Sequence, residues 1–130
     1  MSEMRVLIVD DSSVMRKIVE RSLRQAGLDP MVVLEAGSGT DGLEVLQGQS
    51  VHLILSDINM PSMDGLEFLR QIRGQNLAPG VPVVMITTES SEEHVKQAIL
   101  SGAQGYIRKP FTAEQVKERV LPLLAAAEGR

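Results

Sequence analysis

Apolar positions along the 130-residue chain fall into two alternating periods. Five short runs, Arg5–Val9, Met31–Glu35, Val51–Ser56, Val81–Thr87 and Gly105–Arg108, have the length and Val/Ile/Leu content of strands buried on both faces. Between them, apolar residues return every three or four positions, which marks one face of a helix. After the first run, Val14, Ile18, Val19, Leu23 and Ala26 keep that spacing, while Arg16, Lys17, Glu20, Arg21 and Arg24 fall mostly on the other side. Ser12 or Ser13 is placed to cap this helix and Gly27 to stop it. Gly37-Ser38-Gly39 leads into a second, short helix with Leu43 and Leu46 inside, and Leu66, Leu69 and Ile72 mark a third that ends at Gly74. Ser90 and Glu93 have capping-box spacing ahead of a fourth helix built on Val95, Ala98 and Ile99 and closed by Gly102. Thr112 and Gln115 repeat that spacing ahead of a fifth, built on Val116, Val120, Leu123 and Leu124. Pro122 interrupts the last stripe. In a helix interior it removes the bond to the Glu118 carbonyl, at about 3 kcal/mol, so a kink or break is expected there.

Strands alternating with helices predict an α/β fold, a doubly wound parallel sheet of five strands covered on both faces by five helices. No repeat, low-complexity tract or linker divides the chain, and its length is that of one domain, residues 1–130. Composition narrows the picture further. With 43% hydrophobic and 23% charged residues the chain reads as ordinary soluble globular material, and only 2% aromatic residues leave Leu, Val, Ile and Met to fill the core. The net charge of −4 argues against a nucleic-acid partner. Zero cysteines exclude disulfides, thiolate metal sites and cysteine nucleophiles, and agree with a cytoplasmic location. Neither a signal peptide nor a membrane-crossing run is expected.

The informative residues lie just past the predicted strands. Asp10 and Asp11 follow the first, Asp57 the third and Lys109 the fifth, while Thr87 ends the fourth and Thr88 follows it. In open α/β sheets this is the rim where ligands bind. Carboxylates about 4 Å apart repel by roughly 4 kcal/mol per pair at an effective dielectric of 20, so three of them need a cation or must protonate. Oxygen donors with no His or Cys nearby suit Mg²⁺. His52, read as a strand residue among apolar neighbours, and His94, on a helix near Glu92 and Glu93, are not expected to be ligands. A carboxylate beside such a metal can attack phosphorus, with the Lys109 ammonium neutralising charge on the transferred group.

Asp10-Asp11, Ser56-Asp57-Ile58-Asn59-Met60-Pro61 with Asp64-Gly65, Thr87, Tyr106 and Lys109-Pro110 together resemble the receiver domain of two-component response regulators, over the whole chain. The resemblance implies a flavodoxin-like sheet with strand order 2-1-3-4-5. It implies that Asp57 accepts a phosphoryl group from a histidine kinase or histidine phosphotransfer domain. Asp10, Asp11, Asp57 and the Asn59 backbone carbonyl would hold Mg²⁺. Lys109 would contact the phosphoryl group and precede a cis bond to Pro110. Thr87 and Tyr106 would form the switch, remodelling a face of helix 4, strand 5 and helix 5 that binds a downstream protein, with no nucleic acid and no membrane involved. Such a protein is not an enzyme beyond its own aspartyl phosphorylation and dephosphorylation. No output domain is expected beside this one, which makes the chain similar to stand-alone regulators, and Asn59, Glu89 and Val14-Met15-Arg16 resemble the chemotaxis group. Asn59, Thr88 and Glu89 would govern access to the phosphoryl group, and Thr88 departs from the small residue usual at its position.

Other readings fit less of the chain. A phosphate sink or relay intermediate would use the same residues. Gly37-Ser38-Gly39-Thr40-Asp41-Gly42 matches a dinucleotide-binding G-x-G-x-x-G, but it follows the second strand and leaves Asp10, Asp11 and Lys109 without a role. An aspartyl-phosphate hydrolase would carry Asp-x-Asp on its first strand, whereas here Asp57-Ile58-Asn59 sits on the third.

Overall fold

The structure, a computed structural model, describes residues 4–28, 31–87, 92–100, 102–109 and 111–128, apart from the side chains of residues 87, 92, 94, 95, 127 and 128. Five strands, β1 (Met4–Val9), β2 (Met31–Ala36), β3 (Leu53–Asp57), β4 (Val83–Thr87) and β5 (Gly105–Arg108), form one sheet. Its order is β2-β1-β3-β4-β5, and every pairing is parallel. The helices are α1 (Ser13–Leu23), α2 (Gly39–Gly48), α3 (Gly65–Gly74), α4 (Glu92–Leu100) and α5 (Ala113–Glu128). The expected fold class and strand order are what the structure has.

Alternation along the central strands builds two cores, one on each face of the sheet. Leu7, Val9, Ile54, Val83 and Met85 point to the face covered by α2, α3 and Ala98 of α4. Val6, Ile8, Leu53, Leu55, Val84 and Ile86 point to the other, where Val19 and Leu23 of α1 and Val116, Val120 and Leu124 of α5 close over them. Burial on both faces is why these strands are continuous apolar runs. Helix starts are fixed by side-chain caps: Met15 N donates to Ser12 Oγ at 3.2 Å, Asp41 N to Ser38 Oγ at 3.1 Å and Glu67 N to Asp64 Oδ1 at 2.8 Å. At α5 the capping box forms in both directions, with Thr112 N donating to Gln115 Oε1 at 2.9 Å and Gln115 N to Thr112 Oγ1 at 3.1 Å. After α1 the chain widens into a π-type turn, Arg24–Leu28, where Gly27 takes φ 102° and ends the helix. Among the described residues no helix is long and apolar enough to cross a membrane.

Five local expectations are corrected, the first being that Val14 and Ile18, read with the apolar face of α1, are 69% and 45% exposed. β3 starts at Leu53, not Val51, because exposed His52 precedes it: His52 Nδ1 accepts from Arg5 N at 3.0 Å and His52 N donates to Arg5 O at 2.8 Å. β4 starts at Val83 because Pro82 has no N–H to give the ladder, although its carbonyl still accepts Ile54 N at 3.1 Å. In α4, Ala98 is 1% exposed but Ile99 is 55% exposed, since the next residue on a helix is turned about 100° from its neighbour. The break expected at Pro122 is absent, and α5 runs through it. Pro122 and Glu118 are both exposed, so the carbonyl that loses its partner faces water. The Ser90–Glu93 cap lies outside the described residues.

Candidate functional site

β1 and β3 are neighbours in the sheet, yet α1 and α3 leave them for opposite faces. The chain therefore diverges at their carboxyl ends and leaves a crevice at the topological switch point. Asp10 prolongs the β1–β2 ladder by one bond, with its N–H donating to Ala36 O at 3.1 Å. Asp11 lies in the exposed turn that follows. Asp57 is the last residue of β3, where the sequence suggested a position just beyond the strand, and it pairs with Ile86 of β4. One carboxylate oxygen from each of Asp10, Asp11 and Asp57 lies within 4.8 Å of the others, the one such group among the described residues. Lys109, one residue past β5, reaches in with Nζ 3.2 Å from Asp10 Oδ2 and 3.6 Å from Asp57 Oδ1.

Three carboxylates thus face one ammonium, and two of them are poorly hydrated, Asp10 at 3% and Asp57 at 8% exposed. Burial pushes the Asp57 carboxyl above its ordinary value. The Asp10 charge adds to that, while Lys109 and the backbone N–H groups of Asn59 and Ile58 pull the other way without winning. The donor set fits a hard divalent cation. Octahedral Mg²⁺ bonds oxygen at about 2.0–2.1 Å, which places its ligand oxygens roughly 2.9 Å apart when adjacent and about 4.2 Å apart when opposite. The three oxygens, all within 4.8 Å of one another, would have to close further to meet that spacing, so it is the hard oxygen donor set that fits the cation.

The remaining predicted residues are placed as follows. Asn59 is exposed two residues beyond Asp57. The backbone of Thr87 closes β4 opposite Arg108 of β5. The side chain of Thr87 lies outside what the structure describes, as do Thr88, Glu89 and Pro110, and with Pro110 the expected cis bond. Tyr106 is half-buried against the core, and the Arg119 guanidinium carbon stands 5.4 Å from its ring centroid, a cation–π arrangement.

Two residues quoted only as parts of motifs have contacts at the site that their residue types do not announce. Arg16 looked like part of a solvated basic face, but its Nη1 donates to Asp10 O at 2.6 Å and its Nε to Glu35 Oε1 at 2.9 Å. Glu35 Oε2 also accepts Lys17 Nζ at 3.0 Å, and these two cations hold the Glu35 carboxyl below its ordinary value, Lys17 foremost. At Gly65, quoted above beside Asp64, a Cβ would collide with the Asp57 carbonyl oxygen and come within 2.7 Å of Met85 Cε and 2.8 Å of Ile58 Cα. Only glycine lets α3 start this close to the end of β3, where Gly65 N donates to Ile58 O at 2.7 Å.

Comparison with known proteins accounts for this arrangement. The family described as response regulator receiver domain matches residues 6–121. A chemotaxis protein CheY homolog of Campylobacter jejuni subsp. jejuni is 37% identical over 127 residues, covering 97% of this chain and 96% of the relative. Among solved structures, chemotaxis protein CheY4 of Vibrio cholerae superposes with a TM-score of 0.83 at 34% identity, over 94% of this chain and 99% of that one. A CheY-like receiver domain protein from Methanospirillum hungatei gives a TM-score of 0.86 at 29% identity, over 98% of each chain. With fold, rim and relatives in agreement, the chain belongs to the response regulator receiver domain family and is a CheY-like member of two-component signalling.

Proposed function

We propose that residues 1–130 form a single receiver domain that accepts a phosphoryl group on Asp57 and signals by binding another protein in the cytoplasm. The observation that carries this is the place of the Lys109 ammonium, between Asp10 and Asp57 at the switch point of the sheet. An Asp57 carboxylate oxygen attacks the phosphorus of a phosphohistidine on the kinase or phosphotransfer domain. The O–P bond forms as the P–N bond breaks, and the leaving imidazole keeps the electron pair and takes a proton. Asp10, Asp11, Asp57 and the Asn59 backbone carbonyl would hold Mg²⁺, which would supply positive charge to the phosphoryl oxygens. Lys109 supplies the rest. Hydrolysis by water returns Asp57, with Asn59, Thr88 and Glu89 controlling approach, and no other reaction is catalysed. The exposed Val14 and Ile18 on α1, beside Lys17, offer the phosphodonor domain a docking face next to the acids. Thr87 moving onto the phosphoryl group and Tyr106 turning into the vacated space remodel the α4–β5–α5 face for a target in chemotaxis or motility.

Intact-mass measurement after incubation with a small-molecule phosphodonor tests this. The wild type is expected to gain one phosphoryl mass in Mg²⁺ and none in chelator, and Asp57→Ala is expected to gain none in either. Equal gain by Asp57→Ala would overturn the assignment.

A further inference from the structure

The main chain of Asp10 is held from several sides. Its N–H donates to Ala36 O at 3.1 Å, its Oδ1 accepts Ser12 N at 2.9 Å, and its carbonyl accepts Arg16 Nη1 at 2.6 Å, in the short range of charge-assisted bonds. The peptide that carries this carbonyl joins Asp10 to Asp11. Because a peptide is planar, fixing the Asp10 C=O direction also fixes the Asp11 N–H and Cα, and so where the Asp11 carboxylate leaves the chain. Asp11 is itself exposed, so its place in the cluster is set by this backbone rather than by packing. The guanidinium that grips the carbonyl is aimed by Glu35, which accepts its Nε at 2.9 Å from the residue before Ala36. At 17% side-chain exposure it is largely withdrawn from water.

We propose that Arg16 and Glu35 act as a positioning pair that sets the Mg²⁺ affinity of the acidic cluster by orienting the Asp10–Asp11 peptide. This rests on reading Asp10, Asp11 and Asp57 as the Mg²⁺ site. Mg²⁺ demands near-ideal octahedral geometry, so a ligand displaced by a fraction of an ångström binds poorly. The planar fork of Arg spans the Asp10 carbonyl and Glu35 at once, whereas the Lys ammonium is a point charge on a flexible stem. Charge and position predict opposite signs. As a mere nearby cation, Arg16 opposes Mg²⁺, and its removal would tighten binding. As a positioning residue, its removal weakens binding.

The test is the Mg²⁺ dissociation constant of the full chain, measured by titration calorimetry on wild type, Arg16→Lys, Arg16→Gln and Glu35→Asp, with the metal-free thermal midpoint recorded for each. Arg16→Lys keeps the charge and loses the fork, and Glu35→Asp keeps the charge and withdraws the acceptor by one methylene. Both arginine variants are expected to bind Mg²⁺ about tenfold more weakly, the usual scale for outer partners of metal ligands. Tighter binding by Arg16→Gln, or a lowered midpoint with an unchanged dissociation constant in Arg16→Lys, would overturn the proposal. Where the arginine variants fail to fold, Glu35→Asp decides: weaker binding supports the pair and unchanged binding overturns it. Absence of Mg²⁺ binding by the wild type would overturn the metal-site reading itself, and this inference with it.

Discussion

Asp57 carries the electrostatic cost of the site. Its carboxyl is raised above the ordinary value because burial outweighs Lys109 and two backbone N–H groups. A raised carboxyl means that the metal-free folded state holds its proton more tightly than the unfolded chain does. Stability from this group is thus fully present below the unfolded value, near pH 4, and lost as pH rises through the folded one. Above the folded value the group opposes folding. Asp57→Asn, which removes the charge and keeps the shape, is therefore expected to raise the thermal midpoint in chelator at pH 7, by roughly 2–8 °C for each kcal/mol relieved. The gain should shrink as the pH is lowered toward 4. A midpoint below wild type would mean that Lys109 already satisfies the carboxylate. The acids and Lys109 are legible in the sequence because each follows a strand whose apolar pattern is plain. What Arg16 and Gly65 touch is not, because they meet main chain, the Asp10 and Asp57 carbonyl oxygens, and a backbone partner leaves no residue type to recognise.

The helices and strands follow their patterns except where one residue outweighs the period. His52 and Pro82 shorten β3 and β4 by what they do to backbone bonding, an effect that a run of apolar letters hides. Spacing alone places Ile99 inside, but α4 is nine residues long and Ala98 already takes the inward direction there. Pro122 shows the reverse case, in which a rule about helix interiors meets a buried stripe that holds the helix together on both sides. Val116, Val120 and Leu124 stay in one core cluster while Pro122 faces out. The missing N–H still costs something, so Pro122→Ala is expected to stabilise the fold by about 1–3 kcal/mol. This would appear as a higher urea midpoint with an unchanged slope. A lower midpoint would show that the proline ring makes a packing contribution greater than the bond it removes.

Across the molecule, the two cores lock the sheet and leave its carboxyl rim as the place where charge can accumulate. Turning a 1:99 equilibrium into 99:1 takes about 5.5 kcal/mol of differential binding. In the proposed switch, one charge-assisted hydrogen bond from Thr87 would supply about 1.5–3 kcal/mol, leaving the remainder to Lys109 and the partner. Thr87→Ala is accordingly expected to take up phosphoryl groups on Asp57 yet lose most of the phosphorylation-dependent gain in partner affinity, measured by calorimetry against the isolated target. A full gain in that variant would remove the threonine from the switch. The measurement that bears most directly on the central claim is borohydride trapping of the phosphorylated protein followed by peptide mass mapping, because reduction turns a phosphorylated aspartate into homoserine and so marks its position. Homoserine at position 57, formed only when phosphodonor and Mg²⁺ are both present, is the expected result. Homoserine at another position, or at 57 without a divalent cation, would contradict it.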